Sequence, residues 1–403
     1  MDPVVLAFVV AGTIIILGFL GEEFSKRTSI PDPILLLLFG VILGPVLNVF
    51  SHEQLIPITP YFAALALITI LFDGGLNMKI QEAIRNSPRA LVLGFSGWII
   101  NVLATAFLCK YVLGWRLLNG LLLGSIVGGS SSIIVIALAR KLGVDSKTEI
   151  ILSLESILTD VLCTVGAFVA IDIILSGEVS LQLALGSVAT AFAVGTIVGL
   201  LSGIAWLNIL ERMKGKPNAY MLTLAILLLT FFVARNLGGT GAISALFLGL
   251  VIGNAPSFAK LVKFKNSSTI SVDESVRSFH SQISFLIRSF FFVFTGLLFS
   301  FSSFTLVLFG LLLAFVFLGI RFYAVKLSFV RSSSKDTETL MTIMLPRGLA
   351  AAVLASLPFV SGVPDSKVFP EIAFIVILAT IIICTVGVAF LKKKEKPAPN
   401  QQR

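Results

Sequence analysis

The segment Glu155-Ser156-Ile157-Leu158-Thr159-Asp160 and the triplet Pro346-Arg347-Gly348 place two carboxylates and a guanidinium inside apolar stretches of bilayer length. An ionisable side chain at membrane depth costs at least roughly 2.5–3.5 kcal/mol on insertion scales. Such a group needs a partner, a water-filled cavity or a task. Asp160 is the carboxylate with the right chemistry for a site: an apolar surrounding favours its protonated form, and a bound cation favours its charged form. Proton and cation would then compete for one group. Ser130, Ser131, Ser156 and Thr159 bring neutral hydroxyl oxygens, which suit hard monovalent cations such as sodium, lithium and potassium.

The surrounding chain is built for lipid. Of its 403 residues 57% are hydrophobic and only 13% charged, where soluble domains carry about 25%. Mean hydropathy is +1.02. The predicted fold class is an all-α polytopic membrane protein, since no run alternates as barrel strands do. Apolar stretches long enough to span fall at roughly 3–20, 33–50, 58–77, 90–112, 117–139, 149–175, 181–208, 218–237, 239–255, 282–302, 304–323, 338–359 and 368–391, thirteen in all. Loops after odd-numbered spans, with the tail and Arg321 at the end of the 304–323 span, hold 24 of the 30 Lys and Arg, including Lys79, Arg140, Arg212 and Lys392. By the positive-inside rule the N-terminus is outside and the C-terminus cytoplasmic. The charge of +9 thus reports topology, and no nucleic-acid partner is expected. The first apolar run reads as a retained helix, residues 392–403 as a short basic cytoplasmic tail, and no soluble regulatory domain is expected. Cys109, Cys163 and Cys384 read as packing residues, and no cofactor is called for.

The chain also repeats itself. Leu38-Phe39-Gly40-Val41-Ile42-Leu43-Gly44 matches Phe247-Leu248-Gly249-Leu250-Val251-Ile252-Gly253 at an offset of 209, and Leu71-Phe72-Asp73-Gly74 matches Val293-Phe294-Thr295-Gly296 at 222. These matches pair span 2 with 9 and span 3 with 10. A shift of seven spans reverses direction, so two inverted six-helix repeats are expected, about 3–175 and 218–391. Spans 5 and 12 correspond, and both are interrupted, by Gly128-Gly129-Ser130-Ser131-Ser132 and by Pro346-Arg347-Gly348. Broken helices at matching positions of two halves are the best sequence pointer to a transport site.

Leu71-Phe72-Asp73-Gly74-Gly75-Leu76-Asn77, Gly238-Gly239-Thr240-Gly241, Phe291-Phe292-Val293-Phe294-Thr295-Gly296 and Pro346-Arg347-Gly348 stand in the order and spacing of one family. The chain resembles the monovalent cation/proton antiporters, and within them the NhaP-like sodium/proton branch. The resemblance implies a cation/proton site at Asp160 with Ser156 as ligand, and a structural ion pair between Glu155 and Arg347. It implies a single transporter domain over 1–391, with core helices 90–175 and 304–391 and interface helices 3–77 and 181–302, in a homodimer set in membrane lipid of the cell membrane. Two positions depart from the family pattern. Thr159 replaces its Asn, and Ser130-Ser131-Ser132 replaces its Thr-Asp-Pro. The serine-rich break is similar to that of the potassium/proton branch, so sodium and potassium both stay open.

One titrating acid implies one proton per cation and electroneutral exchange. Asp73, near the cytoplasmic end of span 3, is read either as an access residue for cations or as a helix-terminus residue. Arg288 is read as a partner for a carboxylate or an interfacial anchor. His52 and His280 are assigned to loops, which argues against a histidine relay and against an intramembrane serine protease built on Gly129-Ser130-Ser131, since a nucleophilic serine needs a base in reach. A channel or non-transporting sensor on the same fold remains the rival outside transport.

Overall fold

A computed structural model describes residues 3–28, 30–50, 55–142, 144–177, 181–213, 219–262, 274–328 and 335–395. Among them the regular structure is helical throughout, in sixteen α-helices with short 3₁₀ and π turns. Lipid offers the backbone no hydrogen bonds, so helices that satisfy their own are the expected solution. All thirteen apolar segments hold helix.

Four helices make up the first four spans, α1 (Pro3–Arg27), α2 (Pro33–Val41, prolonged by a π turn at Ile42–Val46), α3 (Thr59–Asn77) and α4 (Ile80–Val112), and α5 (Leu117–Val127) opens the broken fifth span. That span resumes as α6 (Ser132–Lys141) and leads to α7 (Ser146–Ser176). The second part of the chain runs through α8 (Leu181–Arg212), α9 (Ala219–Asn236), α10 (Gly241–Gly253) and α11 (Ala255–Leu261) to α12 (Glu274–Leu297). Next come α13 (Phe304–Ser328), the broken pair α14 (Lys335–Ile343) and α15 (Leu349–Val360), and α16 (Phe369–Glu395). Six helices, α1, α4, α7, α8, α13 and α16, are long and apolar enough to cross a bilayer by themselves, and α10 with α11 forms a further candidate bent by 88°. Lys214, Lys216, Lys263, Lys265, Asp273, His52 and the tail beyond Glu395 lie outside the described residues.

Glycines set how the helices cross, and they do so twice in the same way. A Cβ on Gly40 of α2 would meet the Val293 carbonyl of α12, and one on Gly44 would lie 2.8 Å from the Leu297 carbonyl. The matching Gly249 and Gly253 of α10 face the Phe72 and Leu76 carbonyls of α3. In return Gly296 faces the Leu37 carbonyl and Gly75 the Leu246 carbonyl. Small residues let backbones approach where lipid supplies no hydrophobic drive between helices. Such reciprocal contacts are what the expected inverted repeats would produce. They also correct the register, for Val293, Gly296 and Leu297 stand to Phe72, Gly75 and Leu76 at a constant offset of 221 rather than 222.

The other bundle forms around the two interrupted helices. α4 packs on α5, α7 and α13, while α16 packs on α13, α14 and α15. The Asp145 carboxylate caps α7 through the Thr148 amide at 3.1 Å and hydroxyl at 2.7 Å. These bonds hold its carboxyl below the usual carboxylate range.

Candidate cation and proton site

The two helix breaks meet. The Ser131 amide donates to the Pro346 carbonyl at 2.8 Å, and a Cβ on Gly348 would meet the Ser131 hydroxyl. Only glycine at 348 lets the breaks come this close. The groups freed from the helical ladder then find partners within protein, as lipid depth requires. Asn101 of α4 donates its side-chain amide to the Gly128 carbonyl at 2.8 Å.

Each break is also held by a threonine from the helix that follows it. The Ser130 amide donates to Thr159 Oγ1 at 3.1 Å, and that hydroxyl donates to the Ser156 carbonyl at 3.0 Å. In the second half the Arg347 amide donates to Thr380 Oγ1 at 3.0 Å, which donates in turn to the Val376 carbonyl at 2.7 Å. Thr159 and Thr380 are separated by the same 221 residues as Gly75 and Gly296. The Thr159 hydroxyl, expected as a cation ligand, thus also braces the break. Valine at either position should cost the roughly 0.5–1.5 kcal/mol of a hydrogen bond plus the penalty for the stranded amide. Thermal unfolding of Thr159→Val and Thr380→Val should show losses of similar size. A loss at one position alone would contradict the reciprocal role.

Glu155 is 2% exposed and takes a bidentate fork from Arg321, with Nη1 to Oε1 at 2.8 Å and Nη2 to Oε2 at 3.1 Å. This corrects the pair expected between Glu155 and Arg347: the guanidinium on Glu155 comes from α13. Arg321 Nε donates to the Met341 carbonyl at 3.0 Å. One guanidinium thus ties α7 to α14. A planar fork that matches a carboxylate is what arginine offers and lysine does not. Arg347, 3% exposed, instead lies over the Phe317 ring at 4.7 Å, and its Nε has no hydrogen-bond partner among the described residues.

Ser130 completes the network. Its hydroxyl donates to Glu155 Oε1 at 3.0 Å and lies 2.9 Å from the Ser156 hydroxyl. Ser130, Ser156, Thr159, Glu155 and Arg321 are therefore brought together. Ser131 is buried at the crossing, and Asp160 is buried one residue beyond Thr159, with its carbonyl accepting from Thr164 Oγ1 at 2.8 Å. Glu155 and Asp160 stand roughly 140° apart around α7. Sequence reasoning missed Arg321, Asn101 and Thr380. Arg321, near the cytoplasmic end of the 304–323 span, reads from the sequence as one of the cytoplasmic cations, whereas α13 continues past it to Ser328.

A cavity of about 650 Å³ is lined by Asp73, Asn77 and Lys79 of the α3–α4 corner, Arg277 and Arg288 of α12, and Ile136, Ile157 and Leu349 of the helices that form the site. Ile157 is one helical turn before Asp160. Asp73 accepts a hydrogen bond from Asn77 at 3.0 Å within this cavity. Arg288 pairs with Asp32 at 3.7 Å, so it serves a carboxylate, as one of the two readings had it. His280 is on α12 and not in a loop. It is 1% exposed and tilted against the Phe72 ring at 4.8 Å.

A family model described as "Sodium/hydrogen exchanger, transmembrane" matches residues 9–394. The K(+)/H(+) antiporter NhaP2 of Shewanella sp. strain ANA-3 is 27% identical over 395 residues, covering 95% of this chain and 66% of that protein. The Na(+)/H(+) antiporter 1 of Methanocaldococcus jannaschii is 27% identical over 294 residues, or 71% of this chain and 66% of that one. The chain thus spans about two thirds of the length of these relatives. In fold it is similar to the sodium proton antiporter MjNhaP1 of M. jannaschii at pH 8, with a TM-score of 0.77, 23% identity and 96% of each chain covered. With a matched model over nearly its whole length and the fold to go with it, the chain is a multi-pass membrane protein that belongs to the sodium/hydrogen exchanger family.

Proposed function

We propose that this protein is a secondary active antiporter that exchanges a monovalent cation, sodium in the first place, for protons. One carboxylate, Asp160, carries both in alternation. The observation that carries this reading is the crossing of two helix breaks beside Asp160, in a bundle where the neighbouring Glu155 is already committed to Arg321. A carboxylate neutralised by a bidentate arginine is poorly suited to exchange ions, since breaking such a buried pair is costly. The titrating role falls to Asp160, and Ser130, Ser131, Ser156 and Thr159 supply the hydroxyls at the break. The cavity beside Asp73 supplies the cytoplasmic approach, with the N-terminus outside and the C-terminus inside. The bundle of 90–175 and 304–391 would carry the site, moving against 3–77 and 181–302, the helices proposed to form the homodimer contact in the cell membrane.

Potassium/proton exchange is the second reading. It is favoured by the absence of an acid in Ser130-Ser131-Ser132 and by relatives named as potassium antiporters that align over 95% of this chain.

One carboxylate per cycle makes the exchange electroneutral. In proteoliposomes, sodium-driven proton flux should be unchanged when a thiocyanate diffusion potential of either sign is imposed. A rate that follows the potential would require a second charge to move and would retire the one-acid mechanism.

A further inference from the structure

A second, smaller cavity of about 260 Å³ lies at the opposite ends of the helices that line the large one. Thr59 begins α3, whose other end carries Asp73. Leu298, Ser300 and Ser302 follow α12, whose other end carries Arg277, and Ser356 and Phe359 end α15, whose start is Leu349. Val368, Pro370 and Glu371 lead into α16 and close the wall. With the offset of 221, Leu298 and Ser300 correspond to Asn77 and Lys79 of the large cavity. The small cavity is thus the counterpart of the large one in the other half of the fold.

It holds a buried carboxylate. Glu371 is 1% exposed, and its Oε1 accepts from the Ser302 amide at 3.0 Å. Its Oε2 is buried with no hydrogen-bond partner among the described residues. Lys367, at the rim, rests its ammonium 5.8 Å from the Phe359 ring centroid. A buried charge left half satisfied is expensive, and a loop staple needs only the oxygen that holds Ser302. Glu371 lines the cavity together with the hydroxyl-bearing residues Thr59, Ser300, Ser302 and Ser356. A carboxylate with neutral hydroxyl oxygens around it is a donor set for a hard cation.

We propose that Glu371 and these hydroxyls form a binding station for a monovalent cation on the outer side, where the ion is held before it reaches, or after it leaves, Asp160. The station rests on the antiport reading and adds to it a second, sided cation site. In the other half of the fold it is the mate of the cavity around Asp73.

The test is Glu371→Gln, whose side-chain carbonyl can keep the Ser302 hydrogen bond while the charge is removed. In oriented vesicles the KM for sodium applied at the outer face should rise about tenfold, with the KM at the cytoplasmic face unchanged. Ser356→Ala should raise the outer KM by a smaller factor, and it keeps the question open to test if the Gln variant fails to fold. Thallium soaked into crystals of the wild-type protein should give anomalous density beside Glu371 Oε2, a readout that needs no transport. Wild-type exchange with equal KM values for both variants on both faces, and no thallium at Glu371, would overturn the station and leave antiport standing. Absence of exchange in the wild type would retire the antiport reading itself, and thallium density would then still decide whether the site binds a cation.

Discussion

Arg321→Met is expected to destabilise the protein by about 3–5 kcal/mol, the usual cost of stranding one partner of a buried ion pair. The guanidinium donates to both oxygens of Glu155 and to the Met341 carbonyl, and its removal leaves a carboxylate that is 2% exposed without its counter-charge. Ser130 would be disturbed next, because its hydroxyl donates to that carboxylate. Arg347→Met should be far milder. Its guanidinium lies on Phe317, and a cation–π contact contributes about 0.5–2 kcal/mol. Adding Glu155→Gln to Arg321→Met should recover part of the loss, since the uncompensated charge disappears. Thermal unfolding in detergent checks all three. The assignment of the pair fails if Arg347→Met proves the more damaging change, or if Glu155→Gln restores stability only in the Arg347 background.

Asp160→Asn should leave the fold in place and remove the cation response of the central site. The amide has nearly the volume of the carboxylate and keeps an oxygen acceptor, so packing around α7 changes little. What disappears is the charge for which proton and cation compete. A ligand that binds only the folded state at 100 times its dissociation constant stabilises by about 2.7 kcal/mol. Saturating sodium or potassium should therefore raise the melting temperature of the wild type by clearly more than that of Asp160→Asn, which keeps only the outer station at Glu371. An equal rise in both proteins would place the cation elsewhere. The response should also fade in the wild type as the pH is lowered, because protons then occupy the same group.

Much of this architecture can be read from the sequence because lipid is a demanding solvent. Thirteen apolar segments, two interruptions in corresponding spans and the Gly-spaced match between α2 and α10 all follow from what a bilayer forbids. Asp160, Ser130, Ser131 and Ser156 stand out because polar groups there require a reason. Arg321 does not stand out, for a long basic side chain near a span end is normally read as snorkelling to the interface. Only the packing of α13 against α14 and α7 shows that it turns inward. The repeat register slipped by one because Gly74 and Gly75 adjoin, and either aligns with Gly296 by type. Contact decides for Gly75, whose Cβ position is filled by the Leu246 carbonyl. His280 was assigned to a loop because hydropathy does not detect the polar first turns of α12. In the folded protein those turns pack against Phe72.

The measurement that bears most directly on the central claim is proton efflux from acid-loaded proteoliposomes after addition of sodium, lithium or potassium, with wild type and Asp160→Asn side by side. The account predicts cation-driven efflux in the wild type that saturates, and none above leak in the variant. Efflux that survives in Asp160→Asn, or a wild type silent to all three cations, would contradict it.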